Sequence, residues 1–293
     1  HANTSTQLAG MVAGNPNLAK GEARVILNEV NTRDPSRLNG YIEVAGQKAQ
    51  VVIANPAGIS CDGCGFINAN RATLTTGQVQ YGNGQISGYD VNRGEILVQG
   101  GGLDASSVDS TDLLARAVKI NAGVWAQELK VTAGRNQIDA AHSRTTAKSA
   151  DGSALPAVAI DVSALGGMYA HKIRLVGTER GVGVHNAGNI GAAAGDVAIS
   201  ADGALSNRGV IQSAQNLQLS VKGDLHNQGQ LYAGKDSVVT ASATLTNDGM
   251  IAAQGDTRIA ANALRSAQNS TLAAGLNSNG STASSGALTL NSQ

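Results

Sequence analysis

The residues best equipped for chemistry in this 293-residue chain are Cys61 and Cys64, in the stretch ISCDGCGFINAN. They are its only thiols. The C-x-x-C spacing fits a redox centre, half of a zinc site or a small structural staple. A structural zinc needs four ligands, and beyond His1 the histidines are His142, His171, His185 and His226, none at the spacing of a second ligand pair. A thioredoxin-like centre needs a βαβ setting and nearby positive charge, whereas this stretch is Gly-rich and carries Asp62 between the thiols. Three acids, Asp104, Asp109 and Asp112, occupy a second short polar stretch. Carboxylates converging with Arg on one face would suit a polysaccharide-degrading enzyme, but acids beside a turn are expected to be solvated. No G-x-S-x-G, H-E-x-x-H or nucleotide-binding motif is present. These residues point to no catalytic site, no metal and no cofactor.

The elements that position these residues can be inferred from composition. Aromatics are 2%, charged residues 14%, and Gly numbers 37, yet hydrophobic residues still make up 42%. So many aliphatics exclude a disordered chain. So few large rings suit a thin, repetitive β-structure rather than a thick globular core. Net charge is zero with no dense Lys/Arg run, which argues against nucleic acid as a partner. No run of 18 apolar residues could cross a membrane as a helix. The start, HANTSTQLAG, has neither the basic nor the apolar region of a signal peptide, so the chain is expected to be either unexported or stripped of its signal.

The last third is a ladder. Asn186, Asn207, Asn227 and Asn247 open the phrases NAGNI, NRGVI, NQGQL and NDGMI, spaced 21, 20 and 20 residues apart. Val184, Leu205, Leu225 and Leu245 stand two residues before; Ile190, Ile211, Leu231 and Ile251 stand four after. A second Asx column follows at Asp196, Asn216, Asp236 and Asp256. Apolar and polar residues alternate with strand period. The Asn-x-Gly triplets suit turns, since both residues tolerate positive φ. Two short strands per repeat would make one coil of a parallel β-solenoid, each coil adding about 4.8 Å. The whole chain on that plan would form a rod roughly 65–70 Å long. Stacked Asn amides would satisfy one another; one Asx per coil is a poor calcium donor set.

The first half is β-like but irregular. ARVILNEV, GYIEVAG, KAQVVIAN, RATLTTG and GEILVQG are short strand candidates. TDLLARAVKINAGVWAQELKV is expected to be strands with a short helical turn. Residues 134–156, polar and without clean period, are expected to be a long loop outside the rod. Tyr41, Tyr81, Tyr89, Tyr169, Tyr232, Trp125 and Phe66 form no regular column in sequence, which weakens a sugar-binding reading. Two Asn-Pro turns stand out: Asn15, Pro16, Asn17 and Leu18 as NPNL, then Asn55, Pro56, Gly58 and Ile59 within NPAGI.

NPNL, ARVILNEV and VVIANPAGISCDGCGFINANRATLTTG together resemble the two-partner secretion domain of large bacterial exoproteins, the filamentous haemagglutinins and contact-dependent growth inhibition proteins. GGMYAHKIRLVGTERGVGVHNAG, followed by Asn-x-Gly coils, resembles the start of their haemagglutinin-type repeats. The cysteine pair is more like the growth inhibition branch. Ala57 stands where the family's second turn motif usually has Asn. The resemblance implies an all-β fold, a right-handed parallel β-helix with extra-helical hairpins and loops. It implies a secretion domain over 1–165, short of an N-terminal strand-rich segment and cap, and haemagglutinin repeats over 166–293. It implies a secretion-signal and scaffold role rather than an enzyme. A cognate outer-membrane β-barrel transporter would recognise the chain through its periplasmic domains, by way of the NPNL and NPAGI residues or the fold they hold. The product would lie on the surface of a Gram-negative bacterium, facing a receptor on a neighbouring or host cell. Export through an oxidising periplasm implies that Cys61 and Cys64 close into a disulfide staple. A β-helix polysaccharide-degrading enzyme and an autonomous glycan- or host-binding adhesin are the alternatives.

Overall fold

The computed structural model describes residues 2–293, and among these there is no helix. The chain winds into a parallel β-solenoid of about 12 turns, roughly 55–60 Å long at ~4.8 Å per turn. Each regular coil carries three strands, where two were expected. One coil is Val184–Asn186, Asn189–Ala192 and Val197–Ala201; the next is Leu205–Asn207, Val210–Ser213 and Leu217–Val221. The aliphatic–polar–Asn triplet is a strand in its own right, too short for a clear alternation in sequence. Val184, Leu205, Leu225 and Leu245 are successive register partners, so the sequence column is a physical stack.

These stacked aliphatics fill a narrow interior and are at most 2% exposed. Burying each leucine stabilises by roughly 1.5–3 kcal/mol relative to exposure. The repeat glycines are explained differently from the sequence expectation. Gly209, Gly229 and Gly249 do not adopt positive φ. A Cβ on any of them would sit about 2 Å from the carbonyl oxygen of the glycine one coil earlier (1.9, 1.9 and 2.0 Å). Close coil-to-coil approach, not turn conformation, excludes a side chain.

The first half departs from the regular plan. Strand Ala49–Ala54 is almost wholly buried: Val51 and Ile53 face the rod interior, while Val52 and Ala54 join a second apolar cluster outside it. That cluster is covered by an antiparallel sheet of Gln78–Gly82, Gln85–Val91, Asn136–Asp139 and Thr145–Ala147. The polar stretch 134–156 therefore lies outside the rod as expected, but it supplies two strands of a side sheet rather than one loop. The region expected to hold a helical turn is strands Glu95–Ala115, Ala117–Ile120 and Gly123–Ala133. Leu113 and Leu114 mimic helical spacing because both strand faces are buried there. A small hairpin, Thr4–Thr6 with Gly10–Val12, is held to the rod by Glu43, whose carboxylate accepts from the N–H groups of Gln7 and Leu8, each at 2.8 Å.

Candidate functional site

The two Asn-Pro turns are built alike and placed oppositely. Asn15 Oδ1 accepts the Asn17 N–H at 2.9 Å, and Asn15 O accepts from Leu18 N at 3.3 Å. Asn15, Pro16 and Asn17 are exposed and Leu18 is half-buried. In the second turn Asn55 Oδ1 accepts the Ala57 N–H at 2.9 Å and Asn55 O accepts from Gly58 N at 3.1 Å. Here Asn55 is fully buried, and its Nδ2 donates to Asp34 O and Ser36 Oγ, both at 2.9 Å. Pro56 is buried, and Ile59 belongs to the core. Gly58 has φ +127°, and a Cβ there would meet Glu95 O at 3.2 Å. Position 57 contributes its backbone N–H to the turn, so Ala57 supports the same geometry as Asn would.

Beyond this turn Cys61 and Cys64 are joined by a disulfide, Cα–Cα 5.4 Å, and both face the core. Asp62 points outward and accepts the Gly101 N–H of the next coil at 2.9 Å. The parallel register slips between Gln99 and Leu103 opposite this loop, so two stacked coils bulge together and the disulfide closes the first bulge. A third Asn corner was missed in sequence. Asn68 has φ +57° and donates to Val44 O (2.7 Å) and Gly46 O (2.8 Å). Its only trace in the sequence is the NAN triplet, which no spacing singles out.

The three acids take separate partners. Asp104 accepts from Tyr41 Oη at 2.8 Å and from Ser106 Oγ at 2.6 Å. Partial burial would raise its pKa, but these hydrogen bonds hold it below the usual carboxylate range. Asp109 pairs with Lys48 at the surface. Asp112 is 2% exposed, against the expectation of a solvated acid. It meets Arg71 Nε at 3.0 Å and lies 3.1 Å from His142 Nδ1. Burial alone would raise the Asp112 pKa, but His142 and the Arg71 guanidinium bring it below its ordinary value. Arg71 also donates to Ala141 O, Lys130 donates to His142 O at 2.6 Å, and Tyr89 packs edge-on against His142. Burial pushes the Tyr89 hydroxyl up to about 12. The cluster fastens the 139–144 turn of the side sheet to the rod. Among the described residues no group of three or more His, Cys, Asp or Glu could hold a metal ion.

In the regular coils, Asn186, Asn207, Asn227 and Asn247 are fully buried and joined Nδ2 to Oδ1 at 2.9 Å per step. The second Asx column forms its own ladder. Asp196, Asn216 and Asp236 each accept, through Oδ1, the backbone N–H of the next Asx at 2.9, 3.3 and 2.9 Å. Those oxygens serve coil stacking.

The TPS secretion domain family matches residues 10–207, and the haemagglutinin repeat family matches 212–293. The chain belongs to the TPS secretion domain family. A Yersinia pestis protein named "Toxin CdiA" is 72% identical over 212 residues, which is 72% of this chain and 6% of the relative. "tRNA nuclease CdiA-2" of Burkholderia pseudomallei is 52% identical over 205 residues, 69% of this chain and 6% of that protein. The crystal structure of a filamentous hemagglutinin secretion domain superposes with TM-score 0.69 at 31% identity, covering 94% of this chain and 82% of that one. The secretion-domain match runs across Asn15–Leu18, Asn55–Ile59, the disulfide and the first two ladder asparagines. The chain spans about 6% of the length of the curated relatives it matches.

Proposed function

We propose that this TPS secretion domain is the export signal and folding nucleus of a large exoprotein. Its partner is the cognate outer-membrane β-barrel transporter, and the exported rod stands at the cell surface. The carrying observation is the opposite burial of the two Asn-Pro turns on a family-matched solenoid. The exposed Asn15–Leu18 turn is open to a transporter's periplasmic domains, with Met11 (68% exposed) and Leu8 (55%) on the adjoining hairpin. The buried Asn55–Ile59 turn serves export by holding the fold. Each coil contacts only its neighbours, so folding outside the cell can advance coil by coil and oppose back-sliding without nucleotide hydrolysis. In this reading the chain is a signal and scaffold rather than an enzyme, as its secretion-domain family suggests, and Asp104, Asp109 and Asp112 take separate partners in Tyr41, Lys48 and Arg71. The toxin and nuclease names belong to the relatives, of whose length the match spans about 6%.

The test is export of the full-length parent from cells with and without the transporter, for wild type and for Asn15→Ala/Pro16→Ala. Export is expected to need the transporter and to drop in the variant, with the fragment still folded. Transporter-independent export would overturn the reading.

A further inference from the structure

Of the chain's seven aromatic residues, Tyr41, Trp125, Tyr169 and Tyr232 fall in one register column on the outer face of the rod. Sequence spacing hid this, because insertions make the coils of the first half unequal in length. Trp125 and Tyr169, on neighbouring coils, stack with ring centroids 6.3 Å apart and planes 20° from parallel. They are 43% and 42% exposed, so a large aromatic pair stands in water without a protein partner to cover it. Each ring leans over glycine: a Cβ on Gly123 would lie 2.5 Å from Trp125 carbons, and one on Gly167 would lie 2.7 Å from the Tyr169 ring.

The column then breaks. Next to Tyr169 comes Gly191, where the only atom within 4 Å of an added Cβ is Gln212 Cγ at 3.9 Å. Tyr169 and Gln212 are two coils apart, about 9.6 Å at ~4.8 Å per coil. A ring touching both neighbours needs about 7–8 Å of that space. The resulting groove has a volume of about 360 Å³, with no Asp, Glu, Lys or Arg in its lining. Its floor is Gly and Ala, and Gln127, His171 and Gln212 stand around the rings. The side chains of His171 and Gln212 hydrogen-bond to nothing among the described residues. Ser106 lines both this groove and the larger cleft of about 830 Å³ that reaches Tyr41 and Asp104, so the two are continuous along the rod.

We propose that this groove binds a neutral oligosaccharide lying along the rod axis. The apolar C–H face of a pyranose stacks on Trp125 and Tyr169, as aromatic faces accept flat apolar surfaces. Unpaired amide and imidazole groups then meet the ring hydroxyls, which gives the mostly apolar lining with few polar contacts of a ligand site. Gly191 provides the room for one sugar ring. A charged polymer would find no countercharge in the groove. The inference is independent of the secretion reading.

Trp125 is the only tryptophan, so its fluorescence reports on this groove alone. Cellotetraose, maltotetraose and chitotetraose are titrated into the full 293-residue chain. The expected result is a saturable change with at least one of them. Tyr169→Ala should weaken it about tenfold. Gly191→Val should do the same by filling the notch, with melting little changed, because a Cβ there meets no backbone within 4 Å. Gln212→Ala, at an exposed position, should weaken binding severalfold and keeps the test valid if Gly191→Val misfolds. No saturable change with any of the three, and no hit on an array of neutral glycans, would overturn the proposal. So would unaltered affinity in both Gly191→Val and Gln212→Ala, or a signal that saturates with the transporter's periplasmic domains and not with sugars.

Discussion

In the coils after Val184, the recurring Asn and Asx groups are met by the equivalent position one coil away. Asn answers Asn, and Asx answers the backbone N–H of the next Asx. In the coils before Ala133 the partners are unlike residue types, each pairing made once. Asp112 needs Arg71 and His142; Asn55 needs Asp34 and Ser36. A repeat meets its polar requirements with one rule applied many times, which suits a rod of indefinite length. The first half uses contacts made once between unlike residues, which suit a domain with one defined shape and a face to present. The contrast can be tested by breaking one contact of each kind.

The largest loss is expected from Gly229→Ala. Its Cβ would lie 1.9 Å from Gly209 O, so adjacent coils must separate. A loss of about 5 kcal/mol is expected, at the severe end for single substitutions. Hydrogen exchange should show opening centred on coils 207–247, because each coil touches only its neighbours. A loss below ~1 kcal/mol would refute the close-approach account of the repeat glycines.

Asp112→Ala comes next. It leaves Arg71 and His142 with an unanswered buried site, and removing one partner of a buried pair costs about 3–5 kcal/mol. The side sheet should detach first, read as exchange at 78–91 and 136–147. The pH dependence has a definite sign. Asp112 titrates lower when folded than when unfolded, so its contribution is complete above the unfolded value of about 3.9. It fades as pH falls further through the folded pKa. Asp112→Ala should therefore remove part of the acid-induced loss of stability, and an unchanged acid limb in denaturation curves would contradict this.

Asn227→Ala is expected to cost about 2–3 kcal/mol, since it removes a ladder bond from both Asn207 and Asn247 and leaves Gly229 O and Met250 O without its amide in a dry interior. Asn247→Ala should cost less. It ends the ladder, its Nδ2 donates to Thr271 O, and Ser266 stands where a further Asn would be. Equal losses measured by urea unfolding would argue against mutual support along the column. Reducing the disulfide should cost at most about 2 kcal/mol for so short a loop. Alkylation of the native protein should be slight, because both sulfurs are buried.

The solenoid and both Asn-Pro turns were legible because they repeat or combine rare residue types. The 20-residue columns at Leu205, Leu225 and Leu245 became register partners without adjustment. The side sheet was not legible, since its strands pair across the whole Glu95–Ala133 region. Its signal was nonetheless present: the unbroken run in KAQVVIAN means that both faces of that strand are covered. The aromatic column was hidden because register, rather than spacing, aligns Trp125 with Tyr169. Asp112 misled because the residues before it, from Ser106 to Thr111, are mostly polar, although Leu113 and Leu114 directly after it mark a buried strand; its neighbours in space are His142, Arg71 and Tyr89.

The smallest effect on stability belongs to the exposed turn, and it sharpens the comparison most. Asn55→Ala removes bonds to Asp34 O, Ser36 Oγ and Ala57 N from a buried site, so about 2–3 kcal/mol should be lost. Asn15→Ala removes one exposed Asx-turn bond, so the loss should stay within about 0.5 kcal/mol. If the first turn is a contact surface and the second a structural device, export and stability must separate. Asn55→Ala should lower export only as far as it lowers the folded fraction, and a second-site stabilising substitution should restore it. Asn15→Ala/Pro16→Ala should lower export at full stability, and no stabilising substitution should rescue it. Paired measurement of melting and export across both variants decides this. Export that tracks stability alone in both would assign the exposed turn to the fold and remove it from the transporter interface.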